Sequence, residues 1–473
     1  MRRRLSSLAT PSAGARCMTN MGLFLACFCL YVYYHVITTT LVWSNGSGTD
    51  LRFRGSSRAL RHRRDVDGDL IHLGRLHAAC VHAPDAGIPS SYNSSSVDPT
   101  FLVTPTMNET LLRQVLAQCP DVDVFMDRHD PDQCEDVVGY VKYLHGRALP
   151  RWVFEQTFHH QGRPWTYMDL CPDTALLFMH PRDWNADLPL ASTKRILVAA
   201  HNDAMPADWQ LAHATHVVAT SPAANRRAID WYSRRGDMHA AAVFLVDAAA
   251  AISIDPTAAN TPTSVAARDF ANLTVLHANV LDDVHANTAA VVACWRSRPD
   301  LPPLHLVHAA AYDEPLPANI MVHPAGAAAD LLADASIVLW PTASSIPGRV
   351  LQHARAAGAL VATTNGAPMN TLVDNTSGVL IEAGVDSAAA AAAFWSFFQG
   401  DSAAEHAAPH FAVTADGICS TMDWILAMPP RERARRAAAG HLRFVHGLTA
   451  FKRAMLGLRM KMLQDATLQL MVA

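Results

Sequence analysis

The chain has 473 residues, half of them hydrophobic, and its 38 lysines and arginines are nearly balanced by 42 aspartates and glutamates. This length is enough for two domains with buried cores, and nine cysteines in so long a chain exclude a small disulfide-rich scaffold. The formal net charge of −4 gives no excess of basic residues, so we expect no nucleic acid partner.

The first hydrophobic feature is an uncharged run over residues 21–43, long enough to cross a bilayer as one helix. It is longer than the core of a signal peptide, so we predict an uncleaved anchor after a cytosolic tail of residues 1–20. Arg2, Arg3 and Arg4 favour a cytosolic N-terminus, but six arginines between 52 and 64 follow the run. Charge alone therefore leaves the orientation open.

Residues 44–75 are rich in Gly, Ser and Arg and predict a stem or linker. Acceptor triplets for N-glycosylation, Asn-x-Ser/Thr, would suit a body in the secretory lumen. They begin at Asn45, Asn93, Asn108, Asn272 and Asn375. Together these features predict a single-pass type II membrane protein of an ER-like or Golgi-like compartment.

Strand and helix patterns alternate over residues 76–265. Apolar runs near 122, 174 and 196 have the length of buried strands, and the segment after Asn202 predicts a helix, a strand and a helix. Such alternation is typical of a parallel sheet covered by helices. We therefore predict a Rossmann-like domain here, followed by a Pro- and Thr-rich linker at 255–269.

A second Rossmann-like domain is predicted over residues 272–440, and residues 331–384 carry its clearest pattern. The segment has a strand at 336–340, a helix at 349–357 that ends at Gly358, and a strand at 359–364. A short helix at 369–373 and a strand at 377–382 complete it. Residues 441–473 predict a terminal helix.

The loops at 341–348 and 365–370 follow two of these strands. In parallel sheets, ligands bind beyond the carboxyl ends of the strands, where loops lead into helix N-termini. Gly348 and Arg349 stand where the first loop meets its helix. This position favours an anion, and the Arg349 side chain could add positive charge there.

The sequence letters of this region resemble a known family. WPTASSIPG, HARAAGALVATTNGAPMN and SGVLIE resemble the donor-binding half of retaining, nucleotide-sugar-dependent glycosyltransferases of the GT-B fold. The resemblance implies two Rossmann-like domains facing a cleft and transfer of a sugar with retention of configuration. It also implies a nucleotide-sugar donor, a glycan, lipid or protein acceptor, and neither a metal nor another cofactor.

Carried over residue by residue, the resemblance implies two groups of contacts and leaves the catalytic residues unknown. The donor-binding positions are Ser345, Gly348, Arg349, His353, Thr364, Asn365 and Asn370. The acceptor-side candidates are Asn202 and Ser221. In this fold the terminal helix often crosses back to the first domain.

The chain also departs from the family pattern. Ser345 and His353 stand where the family has two glutamates, and neither accepts hydrogen bonds as a carboxylate does. The segment Ala286, Asn287 and Thr288 replaces a Lys-Gly-Thr that contacts the diphosphate. Two alternatives therefore stay open: a catalytically inactive descendant that acts as a binding or scaffold protein, and a catalyst for another phosphate-bearing substrate.

Three further patterns have a chemical interpretation beside an ordinary structural one. Asp121 and Asp123 form an Asp-x-Asp pair that could hold a divalent ion, and His77, Cys80 and His82 are close enough in sequence to suggest zinc. For both, a structural or chance origin is the preferred interpretation. Cys119 and Cys134 could pair if the body is luminal.

Overall fold

The computed structural model of the protein describes the chain in separate ranges from residue 72 to residue 472. They are 72–83, 85–88, 102–126, 133–160, 162–185, 187–188, 194–201, 204–235, 241–246, 268–279, 286–308, 315–324, 327–342, 349–366, 369–385 and 411–472. The predicted cytosolic tail, the predicted membrane segment and most of the predicted stem lie outside them. Within these ranges, no helix combines the length and the apolar character that crossing a membrane requires.

The first half contains a six-stranded sheet in which every strand pairs in parallel with its neighbours. Its spatial order is β2-β1-β5-β6-β7-β8. The strands are β1 (Val122–Met126), β2 (Arg147–Pro150), β5 (Ala175–Phe178), β6 (Ile196–Ala200), β7 (His216–Ala219) and β8 (Ala242–Leu245), and a small antiparallel hairpin comprises β3 (Phe158–His160) and β4 (Arg163–Trp165).

Helices connect the strands of this half, and the first of them begins inside the predicted stem. They are α1 (72–82), α2 (Glu109–Leu116), α3 (Gln133–Tyr143), α4 (Arg151–Glu155), α5 (Tyr167–Leu170), α6 (Asp208–His213) and α7 (Pro222–Arg235). Leu73 and Leu76 of α1 are fully buried in the core of the first sheet, so α1 is part of this domain.

The second half contains another parallel six-stranded sheet, in the order β11-β10-β9-β12-β13-β14. Its strands are β9 (Val275–Asn279), β10 (Leu304–His308), β11 (Ile320–His323), β12 (Ile337–Trp340), β13 (Leu360–Thr364) and β14 (Val379–Ile381), and the strands β15 (Gly384–Val385) and β16 (Phe411–Ala412) form a short antiparallel pair. The helices are α8 (Thr288–Ser297), α9 (Ala328–Asp334), α10 (Arg349–Ala357), α11 (Met369–Leu372), α12 (Ala415–Ala427) and α13 (Pro430–Val472).

The prediction of two parallel α/β sheets is therefore confirmed. Strands β1, β6, β9 and β13 are buried along their whole length, as expected for parallel strands covered by helices on both faces. Helix α10 has the predicted bounds, and Gly358 ends it with a φ of +77°, a left-handed conformation that glycine adopts without steric cost. That the two domains face a cleft stays a prediction.

The start of the second domain is anchored by Arg268, which lies within the predicted linker and is the first residue described after residue 246. Its guanidinium donates hydrogen bonds to the carbonyl oxygens of Leu332 and Ala335, around the end of α9, and to that of Ala357, the last residue of α10. Helix C-termini carry unpaired carbonyls and partial negative charge. Arg268 therefore joins the chain to the ends of two helices.

Helix α13 is a single 43-residue helix that contacts both halves. Near its start it packs against the second half, where the ring of His441 lies 2.9 Å from the Ala356 carbonyl oxygen. Further along, it contributes Phe451 to the core beneath the first sheet, and Arg459 Nε pairs with Asp121 at 2.6 Å. The terminal helix thus crosses back to the first domain, as the resemblance implies.

Three disulfides join the six cysteines that lie beyond residue 43. They are Cys80–Cys134, Cys119–Cys171 and Cys294–Cys419. The proposed pairing of Cys119 with Cys134 is wrong, because α1 brings Cys80 to α3 while α5 ends beside Cys119. Since Cys80 is in a disulfide, the zinc interpretation of His77, Cys80 and His82 is wrong as well.

Asp121 and Asp123 do not share a metal site. Asp123 is fully buried and pairs through both carboxylate oxygens with Arg147, at 2.9 and 3.0 Å. Asp121 pairs instead with Arg459. Burial and different partners therefore separate these two carboxylates. No cluster of metal-binding side chains occurs in the described ranges.

Candidate functional site

The candidate site lies at the carboxyl edge of the second sheet. Strands β9, β12 and β13 are neighbours, so the segments that follow them lie side by side. The N-terminus of α8 is joined to the same edge, because Asn287, its N-cap, donates from Nδ2 to the Pro341 carbonyl oxygen at 2.6 Å. The strand order therefore brings together residues that are far apart in sequence.

Three hydrogen-bonded polar side chains, of His277, Thr288 and Asn279, are buried beneath this edge and form the floor of the site. His277 Nδ1 lies 2.9 Å from the Leu339 carbonyl oxygen, and its Nε2 lies 3.0 Å from Thr288 Oγ1. A carbonyl can only accept, so Nδ1 carries the proton and Nε2 accepts from the Thr288 hydroxyl. Asn279 Nδ2 donates to the same hydroxyl oxygen at 2.9 Å. These hydrogen bonds fix the first turn of α8 against the ends of β9 and β12.

Asn287 and Thr288 thus have defined positions at the segment where the family carries Lys-Gly-Thr. Asn287 has a φ of 55°, in the left-handed region that asparagine tolerates better than most residues. This conformation turns the chain into α8 and leaves its first amides at the edge of the sheet. The first backbone amides of α8 are therefore present at this segment, although the lysine of the family's Lys-Gly-Thr is absent.

Asn365, Asn370 and Glu382 form a polar rim beside the floor, in which Asn365 is half-buried and the other two residues are exposed. Asn370 Nδ2 donates to Asn365 Oδ1 at 3.2 Å, and Asn365 Nδ2 donates to Glu382 Oε1 at 3.3 Å. Thr364 is fully buried, and its hydroxyl donates to the Thr342 carbonyl oxygen at 2.6 Å. Thr364 therefore shapes the loop after β12, whereas the rim offers amide and carboxylate groups to a ligand.

Gly366 allows this rim to form against β16. A Cβ atom at Gly366 would lie 2.4 to 2.6 Å from three ring carbons of Phe411, far inside van der Waals contact. The backbone is held on the other side as well, since the Asn370 amide donates to the Gly366 carbonyl oxygen at 3.0 Å. The turn therefore has a defined position, and any side chain at residue 366 would have to displace the Phe411 ring.

The remaining donor-side predictions lie at the start of α10. Arg349 is its first residue, but its side chain lies outside the described part of the protein, as do Ser345 and Gly348. His353 is half-buried on the second turn of α10. Helix α10 follows β12, so its N-terminus belongs to the same carboxyl edge as the floor and the rim.

On the first sheet, Ser221 caps α7, since its hydroxyl oxygen accepts a hydrogen bond from the Ala224 amide at 3.1 Å. Asn202 lies outside the described ranges. Two histidines that the sequence interpretation missed occupy the same edge: the rings of His180 and His201 stack with centroids 5.2 Å apart. His201 Nε2 donates to the Met179 carbonyl oxygen at 2.7 Å, which leaves its Nδ1 as the acceptor.

The sequence interpretation also missed His277, Asn279 and Glu382. His277 lies in the middle of β9, Asn279 ends that strand and Glu382 directly follows β14; a polar residue within or just after a buried strand is the signal that could have found them. His277 and Asn279 alternate with apolar residues in the strand, so the hydrophobic pattern of the segment conceals them.

Searches of protein-family models and of curated proteins gave no match to this chain. Solved structures similar to it include a protein of the GtfA/B complex, with a TM-score of 0.41 and 10% identity over 65% of this chain and 63% of that one. The chain thus spans less than two thirds of that protein. HepE from Anabaena in complex with UDP-glucose has a TM-score of 0.43 and 12% identity over 73% of this chain and 99% of its own. A glycosyltransferase from Rickettsia africae has a TM-score of 0.44, also with 12% identity over 73% of this chain and 99% of that protein.

Proposed function

We propose that this protein is a membrane-anchored glycosyltransferase that binds a nucleotide sugar at the carboxyl edge of its second sheet and transfers the sugar with retention. The acceptor would be a glycan, a lipid or a protein. The observation that carries the proposal is the order of the second sheet, which places the N-termini of α8 and α10 and the Asn365–Asn370–Glu382 rim along one carboxyl edge. The sequence resemblance described above supports the same site.

The chemistry of this edge suits a diphosphate. Backbone amides at helix N-termini donate hydrogen bonds to an anion, and the helix dipole favours negative charge. Donors fixed before the ligand arrives stabilise charge that develops on a leaving group. In this proposal, catalysis depends on such support of the departing nucleoside diphosphate, with no metal ion and no protein nucleophile.

The rim would contact the sugar or the nucleotide. Sugar hydroxyls both donate and accept, and the rim offers amide donors at Asn365 and Asn370 and a carboxylate acceptor at Glu382. Glu382 would partly replace the carboxylates missing at Ser345 and His353. The alternative, a non-catalytic sugar-binding protein, shares this site and differs in having no transfer activity.

Donor binding is tested by calorimetric titration of UDP-glucose, UDP-N-acetylglucosamine and GDP-mannose into the purified protein. We expect at least one of them to bind. Arg349→Ala should weaken that binding tenfold or more, because a hydrogen bond to a charged group contributes about 1.5–3 kcal/mol and 1.4 kcal/mol is about tenfold in affinity. His353→Glu, which places a carboxylate where the family has one, should tighten it by a similar factor.

Arg226→Ala is the matched control, because Arg226 is an exposed arginine on α7 of the other half. It should leave the dissociation constant unchanged. No binding of any of the three at millimolar concentration would contradict the donor site. Binding without sugar transfer or donor hydrolysis over a panel of acceptors would favour the sugar-binding alternative.

The location in the secretory pathway is also a proposal. All six cysteines beyond residue 43 are paired, and disulfides persist in oxidising compartments. Three of the glycosylation triplets lie in the described ranges, and their asparagines, Asn108, Asn272 and Asn375, are exposed. Both observations support a luminal body behind the predicted anchor.

This location predicts that the full chain, expressed in eukaryotic cells, shifts to higher mobility after treatment with a peptide N-glycosidase. Replacing Asn108, Asn272 and Asn375 one at a time by Gln should reduce the shift in steps, since each exposed asparagine can accept one glycan. Alkylation without reductant should leave the six paired cysteines unmodified. An unchanged mobility together with six reactive thiols would place the body in the cytosol.

A further inference from the structure

A pocket of about 530 Å³ lies in the first half, between the segment before α6 and one face of α7. Arg227, Asp230, Trp231 and Arg234 line one wall from α7, at the spacing that places side chains on one helix face. Asp208 and Leu211 line the other wall from α6. The volume is within the range of small-molecule sites in proteins.

The two walls are held at a fixed separation. Trp231 Nε1 donates to Asp208 Oδ1 at 2.8 Å, and the Tyr232 hydroxyl donates to the Leu211 carbonyl oxygen at 2.7 Å. The start of α6 is fixed in turn by Gln210, whose side chain is buried and donates to the Pro181 and Trp184 carbonyl oxygens. The pocket is therefore formed before a ligand arrives, which lowers the entropic cost of binding.

The base of the pocket is apolar and its opening is polar. Leu211 and Trp231 are buried at the base, whereas Asp208, Asp230 and Arg234 are exposed at the opening. Trp231 occupies only one oxygen of Asp208, so the other can accept a hydrogen bond from a ligand. Arg227, half-buried, is oriented by a hydrogen bond from Nη2 to the His201 carbonyl oxygen at 3.2 Å.

The charges that line this pocket cancel, because two carboxylates, of Asp208 and Asp230, stand beside the guanidinium groups of Arg227 and Arg234. A balanced set gives no net attraction to an anion or to a cation. It offers strong acceptors and strong donors side by side, and a ligand with several neutral hydroxyl groups satisfies both kinds at once. A sugar ring has apolar C–H faces and polar hydroxyl groups. A pocket with an apolar base and polar side chains around its opening can contact both.

We propose that this pocket binds a short neutral saccharide, with Asp230 and Asp208 accepting from its hydroxyls and Arg234 donating to them. This site is in the first half and is separate from the residues of the donor site on the second sheet. The proposal therefore goes beyond the proposed function and does not rest on it.

The test uses the purified full chain and four free sugars as probes: glucose, mannose, galactose and N-acetylglucosamine, followed by saturation-transfer NMR titration. We expect at least one to bind in the millimolar range and Asp230→Asn to weaken it about tenfold, because a charged acceptor is lost. Asp230 is exposed, so this variant should fold. Asp330→Asn, an exposed aspartate on α9, is the control and should change nothing.

Two further probes test the neutral chemistry. Glucosamine and glucuronate carry one positive and one negative charge, and neither should bind more tightly than the neutral sugars. Selective binding of either, no binding of all four neutral sugars at tens of millimolar, or equal binding by Asp230→Asn would each overturn the proposal. Asp230→Asn should leave the titrations of the nucleotide sugars unchanged, which separates failure of this site from failure of the donor site.

Discussion

Replacing Asp123 with alanine should lower the free energy of unfolding of the protein by about 3–5 kcal/mol, the usual cost of removing one partner of a buried ion pair. Arg147 would keep its charge in the core, because its side chain is only 4% exposed. Burial by itself would lower the pKa of this guanidinium, but the charge and hydrogen bonds of Asp123 raise it. Without Asp123 the cost of burial is no longer offset.

Asp123 also accepts a hydrogen bond from the Tyr167 hydroxyl, so the variant leaves a second buried donor without this acceptor. The pKa of Tyr167 is raised by burial and further by the Asp123 charge, which keeps this hydroxyl protonated. Arg147 Nη1 donates in addition to the Val115 and Leu116 carbonyl oxygens. The cluster thus connects α2, β1, β2 and α5, and its loss should affect all four elements.

Asp121→Ala is the control from the same Asp-x-Asp pair. Asp121 and Arg459 are 30% and 25% exposed, and exposed ion pairs typically contribute about 0–1 kcal/mol. Urea unfolding of both variants, monitored by circular dichroism, measures the difference. Equal losses for the two variants, or recovery of either on adding divalent ions, would contradict the structural role assigned to Asp123.

Phe451→Ala should lower the free energy of unfolding by about 3–5 kcal/mol, as for other buried phenylalanines. Phe451 is fully buried, and its ring packs edge-on against Tyr140 and Tyr143 with centroids 5.4 and 5.9 Å apart. The alanine would leave a cavity between α13 and α3. Because this contact joins the terminal helix to the first domain, we expect α13 to detach before either sheet unfolds.

Met460→Ala is the matched control on the same helix, since Met460 is 56% exposed and should cost less than about 0.5 kcal/mol. Limited proteolysis measures the detachment: Phe451→Ala should be cleaved within residues 441–472 under conditions that leave the wild type and Met460→Ala intact. Cleavage in the sheets before cleavage in α13 would show that the helix is not the weaker element.

Much of the fold can be predicted from the sequence, because the relevant signals are local. The apolar runs at β1, β5, β6 and β13 match buried parallel strands, and Gly358 ends α10 where a left-handed residue is needed. These features depend on a few consecutive residues, so pattern alone identifies them. The positions of Asn365 and Asn370 on one loop follow for the same reason.

Contacts between distant segments could not be predicted in this way. Which cysteines pair depends on the packing of α1 against α3 and on the position of α5. The different roles of Asp121 and Asp123 depend on Arg459, 338 residues away, and on Arg147, 24 residues away. The meeting of Asn287 with Pro341 follows from the strand order, which places β9 next to β12 although β10 and β11 come between them in the chain.

Side-chain periodicity and glycine conformation act over one or two turns, and the sequence alone therefore predicts several strands, helix α10 and the loops that could hold a ligand. The folded structure is needed to show that α8 contributes to the same edge as α10, that His277 and Asn279 form its floor, and that α13 joins both sheets. Those outcomes arise from packing of whole elements, where the burial of apolar faces and the pairing of buried polar groups select one arrangement among many.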